Sequence, residues 1–473
     1  MKGYGKYKRT DEFWLPQLPT HWSFQKVKRL FNERIEKGHP DKPLLAATQN
    51  KGVVLKKDYG SRTVEATKDL HLLKLVRSGD FVISLRSFQG GIEYAHVEGI
   101  ISPAYTVMIP SLKVVPGYFK YFAKIPCFLD LLKVCVTGIR EGQNIDYKKL
   151  REHFIPIPPR EEQDQIVRYL DAKVSKINKL IRIKEKQIAL LKEKKQAIIN
   201  QAVTKGLDLS APMKDSGIAW IGQIPERWEV VPLKKIARIQ SGITLGKSYP
   251  ANTVQSYPYM CVANVQSGFL DLSKIKNIQI PEHEALRYML QKNDVLMTEG
   301  GDPDKLGRGC LWSGELECCL HQNHIFAVRT DNTQISSEYL CLFLSSSFSQ
   351  YYFLTTSKQT TNLASTNKTK LGSLPIILPS LEEQKNIFTQ LQAELNRHES
   401  LVAACNHKIF TLTEYRTRLI SDVVTGKIDV RGIPITEESD KDQESATIGH
   451  QWLAQNGEGV YPVDEYDEDE QPE

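Results

Sequence analysis

A chain of 473 residues, 41% hydrophobic and 25% charged, has room for about three domains of ordinary water-facing composition. It opens without an apolar signal core, holds no run of about 18 apolar residues and scatters its eight cysteines with no C-x-x-C pair, so export, membrane spanning and a disulfide frame are not indicated, and a cytoplasmic protein is expected. The net charge of +6 hides a division, since residues 434–473 carry 13 acids against Lys441 alone and leave +18 on the rest, a balance that fits either a nucleic-acid partner or a merely solvated basic surface.

Taken in order, the chain repeats itself once. Trp14-Leu15-Pro16-Gln17-Leu18-Pro19-Thr20-His21-Trp22 returns as Trp220-Ile221-Gly222-Gln223-Ile224-Pro225-Glu226-Arg227-Trp228, an offset of 206. The tryptophans are expected to dock an entry loop onto its domain, with base stacking as the alternative. Gly79-Asp80 ahead of Phe81-Val82-Ile83-Ser84 recurs as Asn293-Asp294 ahead of Val295-Leu296-Met297-Thr298, which predicts a turn feeding a short buried strand. Residues 118–122 recur as 339–343 at an offset of 221, which predicts a packing helix.

Between these framework pieces lie loops rich in Gly, Asn, Gln and basic residues, at 84–95, 138–146, 298–312 and 355–370. Such residues suit contact with DNA, because Arg reaches guanine bidentately, Asn or Gln reaches adenine, and glycine lets the backbone approach phosphate. The candidates are Arg86, Gln89, Arg140, Gln143 and Asn144 in the first half, and Lys305, Arg308, Lys358, Gln359 and Asn362 in the second. Taken singly, each of these loops is also readable as an ordinary solvated one.

Residues 161–203 recur as 382–424, each copy opening on Glu-Glu-Gln. Apolar residues alternate at +4 and +3, the 3.5 period of a coiled-coil seam, which predicts two long helices. The pairing positions are Leu170, Val174, Ile177, Ile181, Ile188, Leu191 and Ile198 in the first copy, and Leu391, Leu395, Val402, Ile409, Leu412 and Leu419 in the second. Ser380 with Glu383 fits a capping box, Glu161 and Glu162 suit the positive end of a helix dipole, and Gly206 is placed to stop the first helix. Lys195 and Arg416 occupy the same seam position of the two copies, so parallel pairing would bring two cations together, and antiparallel pairing is expected.

Catalytic signatures fail on inspection. Only three residues separate the glycines of Gly242-Ile243-Thr244-Leu245-Gly246-Lys247-Ser248, where a phosphate-binding P-loop needs four. Cys318, Cys319, His321 and His324 lack a second ligand pair at zinc spacing. Ile157 ahead of Pro158-Pro159 departs from the Asn/Asp-Pro-Pro-aromatic loop of amino-methyltransferases, and no G-x-G-x-x-G, H-E-x-x-H or G-x-S-x-G occurs. A chain without chemistry of its own is expected.

The arrangement resembles the specificity (S) subunit of type I restriction-modification systems over about residues 10–430. The carriers are Ile155-Pro156-Ile157-Pro158-Pro159 ahead of Glu161-Glu162-Gln163, Leu374-Pro375-Ile376-Ile377-Leu378-Pro379 ahead of Glu382-Glu383-Gln384, and Lys214-Asp215-Ser216-Gly217-Ile218-Ala219-Trp220-Ile221-Gly222. The resemblance implies an α+β fold of two tandem globular target-recognition domains, each followed by a long conserved α-helix, the two helices pairing as an antiparallel coiled coil with pseudo-twofold symmetry. On that plan residues 1–150 form the first recognition domain, 151–206 the first spacer helix, 207–219 a linker, 220–371 the second domain and 372–430 the second spacer helix, with 431–473 an acidic tail expected to be disordered and foreign to the family pattern. The resemblance also implies a non-catalytic, sequence-specific DNA-binding subunit that recognises a bipartite asymmetric target, one half-site per domain. Its implied partners are double-stranded DNA, two modification (methyltransferase) subunits and two ATP-dependent restriction subunits. No cofactor is expected on this chain; S-adenosylmethionine, ATP and Mg belong to the partners, and no membrane is involved.

Overall fold

The computed structural model describes residues 2–434 apart from 50, 60–68, 86, 138–143, 247, 251–252, 302–305 and 360–363. They form two compact units that cut across the linear order of the chain: Met1–Ile181 with Phe410–Glu473, and Arg182–Ile409. Each unit holds one globular domain, the opening part of that domain's own long helix and the closing part of the other helix.

The two domains share a four-stranded antiparallel sheet of the same strand order. In the first unit the neighbours are Phe31–Arg34, Thr106–Pro110, Phe81–Ile83 and Glu93–Tyr94. In the second they are Ala237–Ser241, Ile325–Thr330, Val295–Thr298 and Gly309–Leu311. The predicted turn precedes the third strand in both, with Gly79 at φ +94° and Asn293 at φ +73°, the left-handed conformation that Gly and Asn tolerate best. The aspartate that follows is buried in each. Asp80 accepts the Arg77 N–H at 2.8 Å and Asp294 accepts the Gln291 N–H at 2.8 Å. Each carboxylate is also gripped bidentately by an arginine, Arg34 at 2.8 and 3.1 Å and Arg329 at 2.8 and 2.8 Å. These arginines come from non-equivalent strands, so the carboxylate repeats while its counter-ion does not.

The packing helices appear as Pro116–Phe122 and Ser337–Leu344. Tyr118 and Tyr339 are fully buried on them, and their hydroxyls donate to carbonyls, Tyr118 to Val424 at 3.0 Å and Tyr339 to Ile377 at 2.9 Å. In the first unit Phe31, Phe81, Phe119, Phe122 and Phe128 build an aromatic core that Trp14 closes edge-on. In the second, Ile199, Ala202 and Val203 from the end of the first long helix join Trp228, Leu233, Tyr339, Ile387 and Leu391 in one apolar cluster.

The long helices run Arg160–Lys205 and Leu381–Val424. Gly206 and Gly426, at φ +72° and +76°, follow their ends. What the Glu-Glu-Gln opening does is attach each helix to its domain. Gln163 accepts the Val115 N–H at 2.8 Å and donates to the Lys113 and Pro158 carbonyls, both at 2.9 Å. Gln384 repeats the set with Ser336 N–H, Gln334 and Pro379 at 2.9 Å each. Glu162 and Glu383 accept the indole N–H of Trp22 at 3.1 Å and of Trp228 at 2.9 Å, so these two tryptophans are the docking anchors of their entry loops. Glu162 also binds Tyr4 and, at 2.8 Å, His21. The expected capping box is accordingly only half made: Ser380 Oγ accepts the Glu383 N–H at 3.3 Å, but the Glu383 carboxylate is turned to Trp228.

Within each unit the two helices are antiparallel. In the first, Arg416 donates to Asn178 at 2.5 Å; in the second, Lys195 meets Glu399 at 2.7 Å. Each cation expected in the seam thus has its own acceptor. Of the expected pairing residues, Leu170, Ile177, Ile181, Leu391 and Leu419 are buried. Val174, Ile188, Leu191, Ile198, Leu395, Val402, Ile409 and Leu412 are half-buried, as suits a two-helix seam with a thin cover. Inside the stretch 207–219, strand Met213–Asp215 pairs with Gln223–Pro225, just as Tyr7–Arg9 pairs with Gln17–Pro19.

Candidate nucleic-acid interface

In the first unit Gln89 lies exposed on the single helical turn Ser87–Gly90. The turn is tied by the Ser84 N–H to Ser87 Oγ at 2.8 Å. It packs beside the helix Pro126–Val134 and the strand Asn144–Ile145. Asn144 opens that strand, exposed and paired with Thr137. Two candidate loops far apart in the chain therefore share one surface. Arg86, Arg140 and Gln143 lie outside the described residues.

In the second unit the strand Gly300–Gly301 pairs with Ala364–Ser365, which pairs in turn with Lys358–Gln359, so loops 298–312 and 355–370 are joined in one small sheet. Lys358 and Gln359 are exposed there, and Gln359 donates to the Leu354 carbonyl at 3.1 Å. Arg308 is half-buried, giving Nη1 to Gln266 at 3.3 Å while its Nε meets no partner among the described residues. Lys305 and Asn362 lie outside the described residues.

Sequence reasoning missed three neighbours in this unit. Gln266 partners Arg308; Glu299 accepts from His324 at 2.6 Å, and its backbone pairs with His324 and Thr366. In the sequence His324 suggests only a metal ligand. In the first unit it missed the tip of the hairpin Leu45–Thr48 / Gly52–Leu55, although Gln49-Asn50-Lys51-Gly52 is a turn signal flanked by apolar strands.

Chemically these surfaces offer amides, a guanidinium and ammonium groups, which hydrogen-bond to bases and phosphates. Burial pushes the Cys310 and Cys319 thiols up to about 12, far from a reactive thiolate. Burial also drives His321 down to about 4, which keeps it neutral in the core. Among the described residues, no three His, Cys, Asp or Glu side chains are grouped to hold a metal. The segment at Gly242 is packed onto a strand end: Ile243 bridges to Gln322, and a Cβ on Gly242 would stand 2.0 Å from the His321 carbonyl oxygen. No helix among the described residues is long and apolar enough to cross a membrane.

Residues 225–401 match the family model described as type I restriction modification DNA specificity domain. The putative type I restriction enzyme MjaX specificity subunit of Methanocaldococcus jannaschii is 27% identical over 43% of this chain, and the match spans about half (47%) of that relative. The MjaVIII specificity subunit of the same organism is 25% identical over 76% of this chain and 81% of its own length. The EcoKI specificity subunit of Escherichia coli is 20% identical over 68% of each chain. A solved chain from a study of complex assembly and conformational transition of the type I restriction-modification system superposes with a TM-score of 0.62 at 18% identity, covering 87% of this chain and 99% of that one, a likeness of fold.

Proposed function

Because this chain belongs to the specificity-subunit family of type I restriction-modification systems, we propose that it recognises a bipartite, asymmetric DNA target, one half-site per domain, and directs adenine methylation and DNA cleavage carried out by partner subunits. The observation that carries the reading is a shared frame with unshared loops. Both domains have the same sheet order, the same buried aspartate turn and the same glutamine fastening. Their loops differ: an amide-bearing turn beside a hairpin in one, a glycine strand with Arg308, Lys358 and Gln359 in the other. Duplicate scaffolds with different polar surfaces suit a reader of two different half-sequences.

The partners on this reading are two modification subunits, which bind S-adenosylmethionine, and two restriction subunits, which bind ATP and Mg. The chain itself contributes recognition and assembly, acts in the cytoplasm, and performs no methyl transfer, ATP hydrolysis or cleavage. The loop residues Gln89, Asn144, Arg308, Lys358 and Gln359 are the described members of its DNA surface, and the helix residues from Leu170 to Ile198 and from Leu391 to Leu419 pair to join the two readers.

Mapping methylated adenines in DNA exposed to the chain assembled with modification subunits tests this. The expected result is one split, asymmetric sequence. Methyl transfer by the purified chain alone, or methylation without sequence preference in the assembly, overturns the reading.

A further inference from the structure

Lys124, two residues past the helix Pro116–Phe122, spends its ammonium group on three acceptors from three places in the first unit. It donates to Glu93 Oε1 at 2.7 Å, to the Gly90 carbonyl at 2.8 Å and to the Gln49 carbonyl at 3.3 Å. Glu93 is buried, and its second oxygen meets no partner among the described residues. Burial holds its carboxyl above the ordinary range against the opposing pull of Lys124. A buried carboxylate with one cationic partner is costly to keep and strongly destabilising to orphan. Its counterpart, Lys124, ties the hairpin tip at Gln49 to the turn at Gly90 by bonding both carbonyls.

The consequence lies on the surface. The Gln49 side chain lies over Gly90, where an added Cβ would stand 2.6 Å from its Cγ and 3.1 Å from its Nε2. Gln89 is the adjacent residue. Both glutamines are exposed, and neither side-chain amide has a hydrogen-bond partner among the described residues. The hairpin tip is braced from its other side by Thr48, whose hydroxyl donates to the Gly52 carbonyl at 2.9 Å and accepts the Lys51 N–H at 3.0 Å. A glutamine amide presents a donor and an acceptor side by side, matching the N6 and N7 edge of adenine in the major groove. Such amides have donor and acceptor both available to a base edge, and the bonds made by Lys124 and Thr48 fix the backbone that carries them.

We propose that Gln49 and Gln89 form a paired-amide reading edge in the half-site of the first domain, each amide reading one adenine, and that Lys124, neutralised by Glu93, is the positioning residue that holds them in register. This rests on the DNA-recognition reading above and adds to it the residue, the base and the clamp.

The test selects bound duplexes from a randomised pool with the full chain assembled with modification subunits. It compares the wild type with Gln49→Ala and with the double variant Lys124→Met/Glu93→Leu, which removes the clamp without orphaning a charge. Gln49→Ala is expected to lose about 5- to 150-fold preference for one adenine in one half of the site. The double variant is expected to lose preference at both adenine positions, while its melting temperature, the salt dependence of binding and the other half of the site stay as in the wild type. A role confined to stability would move the melting temperature and leave base preference alone. If the wild type selects a split sequence and Gln49→Ala selects the same one undiminished, the reading edge is refuted. If only the double variant selects it undiminished, the clamp is refuted. A wild type that selects no sequence removes the recognition reading itself and this proposal with it. Should the double variant fail to fold, Gln49→Ala, on an exposed side chain, still decides the edge.

Discussion

Replacing Gln163 with leucine keeps the volume of a fully buried side chain and removes its three hydrogen bonds at 2.8 to 2.9 Å. Lys113 is exposed, so its carbonyl regains water; Val115 and Pro158 are buried, so an N–H and a C=O are stranded. At about 1 to 3 kcal/mol for each stranded group, the first unit should lose about 2 to 6 kcal/mol. For a body of this size that is roughly 5 to 20 °C in melting temperature. Gln384→Leu should cost the second unit a similar amount, because Ser336, Gln334 and Pro379 reproduce the bonds to within about 0.1 Å. Calorimetry on the full chain reads the size, and amide exchange reads the place: Val115 should lose protection in Gln163→Leu with Ser336 unchanged, and the reverse in Gln384→Leu. A Gln163→Leu chain that melts within a degree or two of the wild type and keeps Val115 protected would refute the fastening role.

Two other expectations follow from the same geometry. His321, driven down to about 4 by burial, stays neutral in the folded chain where the unfolded chain takes up a proton, so stability present above about pH 6.5 is lost as pH falls through about 4, on the order of 3 kcal/mol. His321→Asn keeps an N–H for the Tyr288 carbonyl and should flatten the acid side of the stability profile of the second unit; an unchanged slope would count against it. A fragment ending near Pro212 lacks Leu419, Val423 and Val424, which are buried in the first unit, and strips the Tyr118 hydroxyl of the Val424 carbonyl. The end of the first helix, with Ala202 and Val203 at the positions of Val423 and Val424, can fill that place from a second copy. The fragment should therefore sediment as a dimer and, with modification subunits, methylate a palindromic site; a fragment that stays monomeric at high concentration would defeat the equivalence of the helix ends.

Repetition and period were legible in the residues alone. The 3.5-residue period forces long helices because no other local structure puts residues 170, 174, 177 and 181 on one face, and the duplicated Glu-Glu-Gln marks where each begins. Gly79-Asp80 and Asn293-Asp294 announced their turns because few residues tolerate positive φ. What Glu162 and Gln163 are for was not legible. A glutamate at a helix start reads as a dipole partner or a cap, and only the fold brings Trp22, Tyr4 and His21 to it across some 140 residues or more.

The candidate surface divides in the same way. Composition marked residues 84–95 and 355–370 as polar and glycine-rich, which is a local property. Which loops meet is a matter of strand pairing between distant segments, as when Gly300–Gly301 joins Ala364–Ser365, and of one ammonium group drawing Gln49, Gly90 and Glu93 together. The exchange of helix segments between units was hidden for a related reason. A heptad stripe states that a helix needs a partner, but burying Ile199, Ala202 and Val203 with Trp228 depends on a fit between surfaces that no periodicity encodes. Sequence thus determined the elements and their duplication, because period and turn chemistry act over a few residues. Tertiary structure alone decided which polar groups share a surface, because hydrogen bonds and burial between segments tens of residues apart or more exist only once the chain has closed.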